Sequence, residues 1–285
     1  MKPVQSSISL AGAGESPALD KRSRKLRRRC VEAMESGGRG HLPSALSLIE
    51  ILRVLYDEVL RFRPDQPDWA ERDRCVLSKG HGCLGLYAVL ADKGFFPPEE
   101  LLTYCRRDSI LGGHPERGRV PGVEASTGAL GHGLGIGIGM ALAARLQHRD
   151  SRIFVITGDG EINEGAVWEG ALAAAKHRLD GLTVIIDYNK MQSYGTTAEV
   201  LELEPLADKW RAFGFSVAEV DGHDVAALVR TFADLPFEFG QPSAIICHTV
   251  KGKGIAHIEG EAGWHHKSRI SADEIAALYQ ALETG

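Results

Sequence analysis

Three observations predict an α/β fold, a mostly parallel sheet with helices on both faces. The apolar run Arg152 to Thr157 (RIFVIT) reads as a buried strand that runs into Gly158-Asp159-Gly160. A second run, Thr183 to Asp187, follows a helix-like stretch and leads to Asn189, so the pair forms one βαβ unit. Beyond it the chain keeps alternating strand with helix, the pattern of a parallel sheet covered on both sides by right-handed crossovers.

The elements follow in order. Helices are expected over 18–36, 44–60 and 82–93, and Pro97-Pro98 opens another short one. The first of these has Leu19, Leu26, Cys30, Val31 and Met34 near one face. Its basic run, Lys21 to Arg29, is then the wet side, and Gly37-Gly38 ends it. Arg74 to Ser78 is a short strand that leads into Lys79-Gly80-His81-Gly82. Gly131 to Gln147 is a helix despite its glycines, which are expected there to allow close packing. Then come strand 152–157, helix 165–177, strand 182–188, helix 205–213, strand 215–220, helix 224–233, strand 243–249 and helix 271–283. Residues 1–17 read as a flexible leader and 18–285 as one domain.

Composition narrows the function. The 285 residues are 44% hydrophobic, enough for a sizeable core. A net charge of −5 gives no argument for nucleic acid or membrane as partner, and no apolar run is long enough to span a bilayer. The five cysteines form no CxxC pair and no zinc spacing, a pattern that fits a reducing cytoplasm.

Crevices at the C-terminal ends of parallel strands are where such sheets bind ligands. Asp159 offers a carboxylate there, Asn189 a side-chain carbonyl, and the bend after it a main-chain oxygen. Those oxygens, with room for phosphate and water, suit an octahedral Mg²⁺. Gly158 and Gly160 let the backbone approach a diphosphate. Gly-Asp-Gly alone is also an ordinary tight turn, so the rest of the chain has to decide. Histidines recur in glycine-flanked loops: Gly40-His41, Gly80-His81-Gly82, Gly113-His114-Pro115 and Gly131-His132-Gly133, with Trp264-His265-His266 near the C-terminal end. Glycine gives a ligand access and imidazole binds phosphate or sugar hydroxyls. Metal binding by these histidines is the competing reading, and their spacings match no helix or finger signature.

Gly-Asp-Gly followed by Asn189 resembles the signature of thiamine diphosphate enzymes. The loops narrow the resemblance to the N-terminal, diphosphate-binding (PP-type) domain of the transketolase family. The segments that carry it are Ser36 to His41, Leu77-Ser78-Lys79-Gly80-His81-Gly82, Gly112-Gly113-His114-Pro115-Glu116, Gly122-Val123-Glu124 through Thr127-Gly128-Ala129-Leu130-Gly131, and Asp221-Gly222-His223-Asp224. It extends from about Leu19 to Leu282.

The resemblance implies that Asp159, Asn189 and the Met191 carbonyl hold Mg²⁺. The backbone of Gly160 and Glu161, with His81 and His265, would surround the diphosphate and reaction centre, and Gly128 and Leu130 would lie against the aminopyrimidine. His41 and His114 would reach the donor sugar, with His265 or its neighbour His266 beside them. Glu164 would support a subunit interface. His132 departs from the usual Gln, and the His41 and His265 loops also differ from the family pattern, which bears on the donor.

The resemblance further implies that a full-length transketolase continues into a pyrimidine-binding domain that supplies the acid activating the cofactor. This chain is then expected to be the first subunit of a split, cytoplasmic enzyme that works with a separate pyrimidine-domain subunit in an alpha2beta2 heterotetramer. It would transfer a two-carbon ketol unit from a ketose or ketose phosphate to an aldose. The alternatives are a relative recruited to a specialised pathway with an unusual acceptor, a 2-oxo acid dehydrogenase α subunit, and a non-catalytic regulatory subunit.

Overall fold

The computed structural model describes residues 19–193 and 195–284; the leader expected over 1–17 lies outside them. A five-stranded sheet, parallel throughout, forms the centre. Its strands are β1 (Arg74–Leu77), β2 (Ile153–Gly158), β3 (Leu182–Tyr188), β6 (Ser216–Asp221) and β7 (Ser243–His248), in spatial order β1-β2-β3-β7-β6. The small antiparallel pair β4 (Met191–Gln192) and β5 (Gly195–Thr196) makes a hairpin just after β3.

β3 is buried along its whole length, as a central parallel strand must be. Its side chains alternate between two cores: Ile185 joins the one that holds most N-terminal helices, Val184 and Ile186 the other. The helices are α1 (Lys21–Gly37), α2 (Leu42–Leu46), α3 (Ile49–Val54), α4 (Cys83–Asp92), α5 (His132–Leu146), α6 (Gly165–Lys176), α7 (Thr197–Val200), α8 (Leu206–Ala212), α9 (Val225–Ala233) and α10 (Ala272–Thr284). In α5, a Cβ on Gly137 would stand 2.4 Å from Val155, and one on Gly133 would meet Ser78, so these two glycines do allow close packing. Gly135 and Gly139 face open space instead.

Two expectations need correction. Residues 44–60 do not form one helix: α2 ends at Leu46, α3 starts at Ile49, and a π-helical turn follows over Leu55–Val59. The break centres on one carbonyl. The Ser44 carbonyl, which a continuous helix would give to Leu48, is taken by Lys79 Nζ at 3.3 Å and Ser47 Oγ at 3.2 Å, while Leu48 N–H turns to Ala45 at 3.1 Å. Nor is the basic face of α1 wholly wet. Arg27 is fully buried and donates to both Glu50 oxygens, at 2.6 and 2.9 Å, and to the carbonyls of Leu46 and Lys253.

Glu50 also accepts from His223 Nδ1 at 2.9 Å, and His223 Nε2 accepts from Val250 N–H at 2.8 Å. The Asp221–Asp224 motif therefore ties the end of β6 to the loop that follows β7. Burial pushes the Glu50 carboxyl up, but the Arg27 charge and its hydrogen bonds outweigh it and hold the group well below the usual range. Breaking one partner of a buried pair leaves an uncompensated charge. Glu50→Ala is expected to lower unfolding stability by about 3–5 kcal/mol. Urea titration of the purified chain measures it, and a loss under about 1 kcal/mol would mean that water reaches Arg27.

Candidate functional site

Four strand ends meet at one edge of the sheet. β1 runs through Ser78 and Lys79 into the 3-10 turn Gly80–Gly82, which carries His81. β2 delivers Asp159, β3 delivers Asn189, and β7 leads through Thr249 to Lys251. Main-chain bonds carry the ladder past the strands, from Ser78 N to Ile156 O at 2.8 Å and from Asp159 N to Asp187 O at 3.3 Å.

Asp159 is 2% exposed, and among the described residues its carboxylate accepts from two main-chain N–H groups, Gly160 at 2.7 Å and Lys190 at 2.5 Å. Burial, and then the Asp187 charge, push its pKa up to about 7 against the opposing pull of Lys79. The protein thus holds a buried acid whose ionised form a bound cation would favour. Asn189 Oδ1 accepts from Met191 N–H at 3.1 Å, which turns the chain at Lys190 (φ 64°) and brings the Met191 carbonyl to 3.4 Å from Lys251 Nζ.

Beneath them lies a fully buried ion pair. Asp187 receives Lys79 Nζ, Ser47 Oγ at 2.7 Å and the Thr249 hydroxyl. Burial would raise the Asp187 carboxyl, but these partners hold it down. Glu161 is a second internal brace: its side chain accepts from Gly131 N at 3.0 Å, Gly158 N at 3.1 Å and Ser78 Oγ, and so locks the ends of β1 and β2 to the start of α5.

The histidines converge beside this group. His41 stands at the centre, with ring centroids 4.6 Å from His266, 5.5 Å from His81 and from His265, and 6.3 Å from His114. His81 and His265 are 5.7 Å apart. A two-residue bridge, Gly40 with Lys267, seats the C-terminal loop against the His41 loop. Burial drives the His41 imidazole down to about 3, and the neighbouring histidines and Lys251 push the same way. His265 falls to about 4 through burial, Lys251 and Lys79, and burial lowers His81 and His114. All four are therefore neutral rings at physiological pH, able to donate from one nitrogen and accept at the other. Burial and Lys79 lower Lys251 to about 8.

These surroundings fit a metal diphosphate. Two buried ammonium groups, Lys79 and Lys251, repel each other, which an anion would relieve, and among the described residues no cationic side chain is hydrogen-bonded to Asp159. His265 Nδ1 and Gln192 Nε2 are buried without partners. The backbone also leaves room: a Cβ on Gly160 would stand 2.8 Å from Gln192, and one on Gly128 (φ 135°) would stand 2.8 Å from the His114 ring. Among the described residues, no group of three or more His, Cys, Asp or Glu side chains is set to hold a metal ion.

His41, His81, His114, His265 and His266 cluster here with Asp159, Gly160, Asn189 and Met191, and Gly128 packs against the His114 ring. Glu161 turns its side chain inward, and its main chain, the part singled out in the sequence, stays in the turn after β2. His132 is exposed, its Nδ1 3.0 Å from the Leu130 carbonyl. Glu164 is exposed too, and lies along Gly131. The sequence reading passed over Lys79, Asp187, Gln192 and Lys251. Two carried a signal: Asp187 is a charge inside an apolar strand, and Lys251 has the glycine neighbour that marked the histidines.

The fold and site define a thiamine diphosphate-binding α/β domain. The family description "Transketolase, thiamine diphosphate binding domain" matches residues 20–284, and the chain belongs to the transketolase family of transferases. It is similar to one subunit of the apulose-4-phosphate transketolase of Phocaeicola vulgatus, 44% identical over 248 residues that cover 87% of this chain and 88% of that one. It is likewise similar to a 6-deoxy-6-sulfo-D-fructose transketolase subunit of a Clostridium species, 43% identical and covering 87% and 90%. Among solved structures, transketolase from Campylobacter jejuni superposes with a TM-score of 0.84 at 30% identity, over 91% of this chain and 42% of that one. The chain thus spans about two-fifths of that longer transketolase. No helix among the described residues is long and apolar enough to cross a membrane.

Proposed function

We propose that this chain is the diphosphate-binding subunit of a two-chain, cytoplasmic transketolase. With thiamine diphosphate and Mg²⁺ it would transfer a two-carbon ketol unit from a ketose or ketose phosphate to an aldose. One observation carries the reading: a buried, cation-demanding Asp159 adjoins a cluster of neutral histidines at one sheet edge. The cofactor, when bound, supplies the carbanion chemistry. Asp159, Asn189 and the Met191 carbonyl are the residues that would hold the metal. Gly160, His81, His265, Lys79 and Lys251 would border the diphosphate, and Gly128 and Leu130 the aminopyrimidine.

His265 feels the Lys251 and Lys79 charges and its ring lies 5.7 Å from His81, whereas the His266 ring lies 4.6 Å from His41, so His265 is the better cofactor neighbour and His266 the better sugar neighbour. His41 and His114, held neutral, would orient the donor's hydroxyls and carbonyl oxygen by hydrogen bonding. The partner would be a chain that brings the pyrimidine half of the site; the relatives, named as single subunits of their transketolases, support this. Neither a 2-oxo acid dehydrogenase chain nor a recruited relative with an unusual acceptor is favoured, since these relatives are transketolases by name.

Co-expression with the candidate partner, then a donor and acceptor screen with thiamine diphosphate and Mg²⁺, tests the proposal. His41→Ala and His114→Ala are each expected to lower donor kcat/KM by about 2–4 kcal/mol in transition-state terms and to leave cofactor affinity near wild type. Unchanged kcat/KM in both variants would remove these histidines from the site.

A further inference from the structure

The loop that carries His114 rests on two donors from one helix. Tyr87 Oη lies 3.1 Å from the Gly112 carbonyl and 2.9 Å from that of His114. Cys83 Sγ lies 3.2 Å from the carbonyl between them, Gly113. Residues four apart on a helix share a face, so α4 presents a hydroxyl and a thiol to three successive carbonyls that belong to no helix or strand. Both residues are essentially inaccessible, at 0% and 1% exposure. Burial pushes the Cys83 thiol up to about 12 and the Tyr87 hydroxyl well above its ordinary range, so each keeps its proton and acts as a donor.

The same helix starts directly after the turn that bears His81. Tyr104 completes the backing. Its hydroxyl is 4.0 Å from Cys83 Sγ, and a Cβ placed on Gly40 would stand 3.4 Å from it, one on Gly113 4.0 Å. One rigid helix thus links His81 to the His114 loop, and one tyrosine ring spans the His114 and His41 loops.

We propose that Cys83 and Tyr87 are positioning residues that set the reach of His114 toward the donor sugar. The role rests on the transketolase reading above. An active site tolerates little misplacement, and a shift of about 1 Å can cost a hundredfold in rate. Tyr87 is buried in the core, and its hydroxyl would act on catalysis through His114.

The test is a double-mutant cycle in the assembled enzyme. Tyr87→Phe is expected to lower donor kcat/KM on the order of ten- to a hundredfold with thiamine diphosphate affinity unchanged. In a His114→Ala background the same substitution should change little. Equal losses in both backgrounds, or no loss in an enzyme that His114→Ala impairs, would overturn the proposal. Cys83→Ala, expected to act in the same direction, replaces Tyr87→Phe if that variant does not fold.

Hydrogen exchange at the Cys105, Leu111 and Thr127 amides, which bond to the Leu111 carbonyl, the Ser109 hydroxyl and the Pro115 carbonyl on either side of the loop, gives a readout free of activity in the purified chain. Faster exchange in either variant supports the anchoring, and unchanged exchange in both refutes it. A complex without any ketol transfer counts against the functional reading, and exchange still decides this one.

Discussion

Replacing Asp159 with alanine is expected to abolish retention of thiamine diphosphate and Mg²⁺ in the assembled enzyme while the fold survives. Asn189 and the Met191 carbonyl are neutral, so Asp159 is the one ionisable oxygen donor of the proposed set. Its pKa of about 7 adds a pH signature. The metal needs the ionised form, so affinity should weaken as pH falls below about 7, where protons compete. Stability runs the other way. A carboxyl whose folded pKa lies above its unfolded value costs stability once pH rises past the unfolded value, and the cost is complete above the folded one. Asp159→Asn should therefore stabilise the metal-free chain at pH 8, by on the order of 1–4 kcal/mol. It should also empty the site. Calorimetric titration with cofactor and thermal unfolding at pH 5 and 8 separate the two effects. Wild-type cofactor affinity in the alanine variant would refute the assignment.

The parts of this site that the sequence showed are those whose chemistry is local. β2 and β3 are apolar runs that end at Gly158-Asp159 and Asn189, and a strand end fixes where its last side chains go. His41, His81 and His114 each came with glycines that open a loop to a ligand. Lys79 was in view inside its motif, but nothing local says that its ammonium turns under the sheet edge to Asp187, a pairing across 108 residues of chain. Arg27 was misread for the same reason. Its place in a basic run points to water, and its burial follows from Glu50 and His223 arriving from elsewhere. The break between α2 and α3 is likewise tertiary, since it depends on Lys79 and Ser47 drawing on one carbonyl. Only distance could separate His265 from His266, because adjacent residues share every sequence signal.

Purified alone, the chain is expected to show no ketol transfer at any cofactor concentration, and a pyrimidine-domain partner should restore it with saturating dependence on partner concentration. Residues 20–284 are taken up by one domain of the family, and that domain carries the metal-diphosphate half of the proposed site. If the cofactor lies across an interface, its affinity is coupled to assembly by mass action. The surface supplies a place for that contact. α5 and α6 pack side by side, and their outer faces expose Gly135, Ile136, Gly139 and Ala143 on one and Ala166 and Leu172 on the other. Leu172 is 59% exposed and Ile136 36%. Small residues on such a face let another backbone come close, and exposed apolar side chains on two adjacent helices make this face a candidate for the contact. Glu164 stands exposed at the head of α6, as an interface role for it requires. A two-fold arrangement of two such chains and two partners would give two equal sites. Placing charges on this face, Ile136→Glu with Leu172→Arg, should leave the isolated chain folded, since both side chains are exposed there. It should weaken partner binding by at least about a hundredfold, roughly 3 kcal/mol, and activity at a fixed partner concentration should fall with it. Sedimentation velocity reads assembly and a coupled donor assay reads turnover. Robust turnover by the mass-verified 285-residue chain alone would refute the two-chain reading, whereas full assembly of the double variant would move the interface elsewhere on the surface.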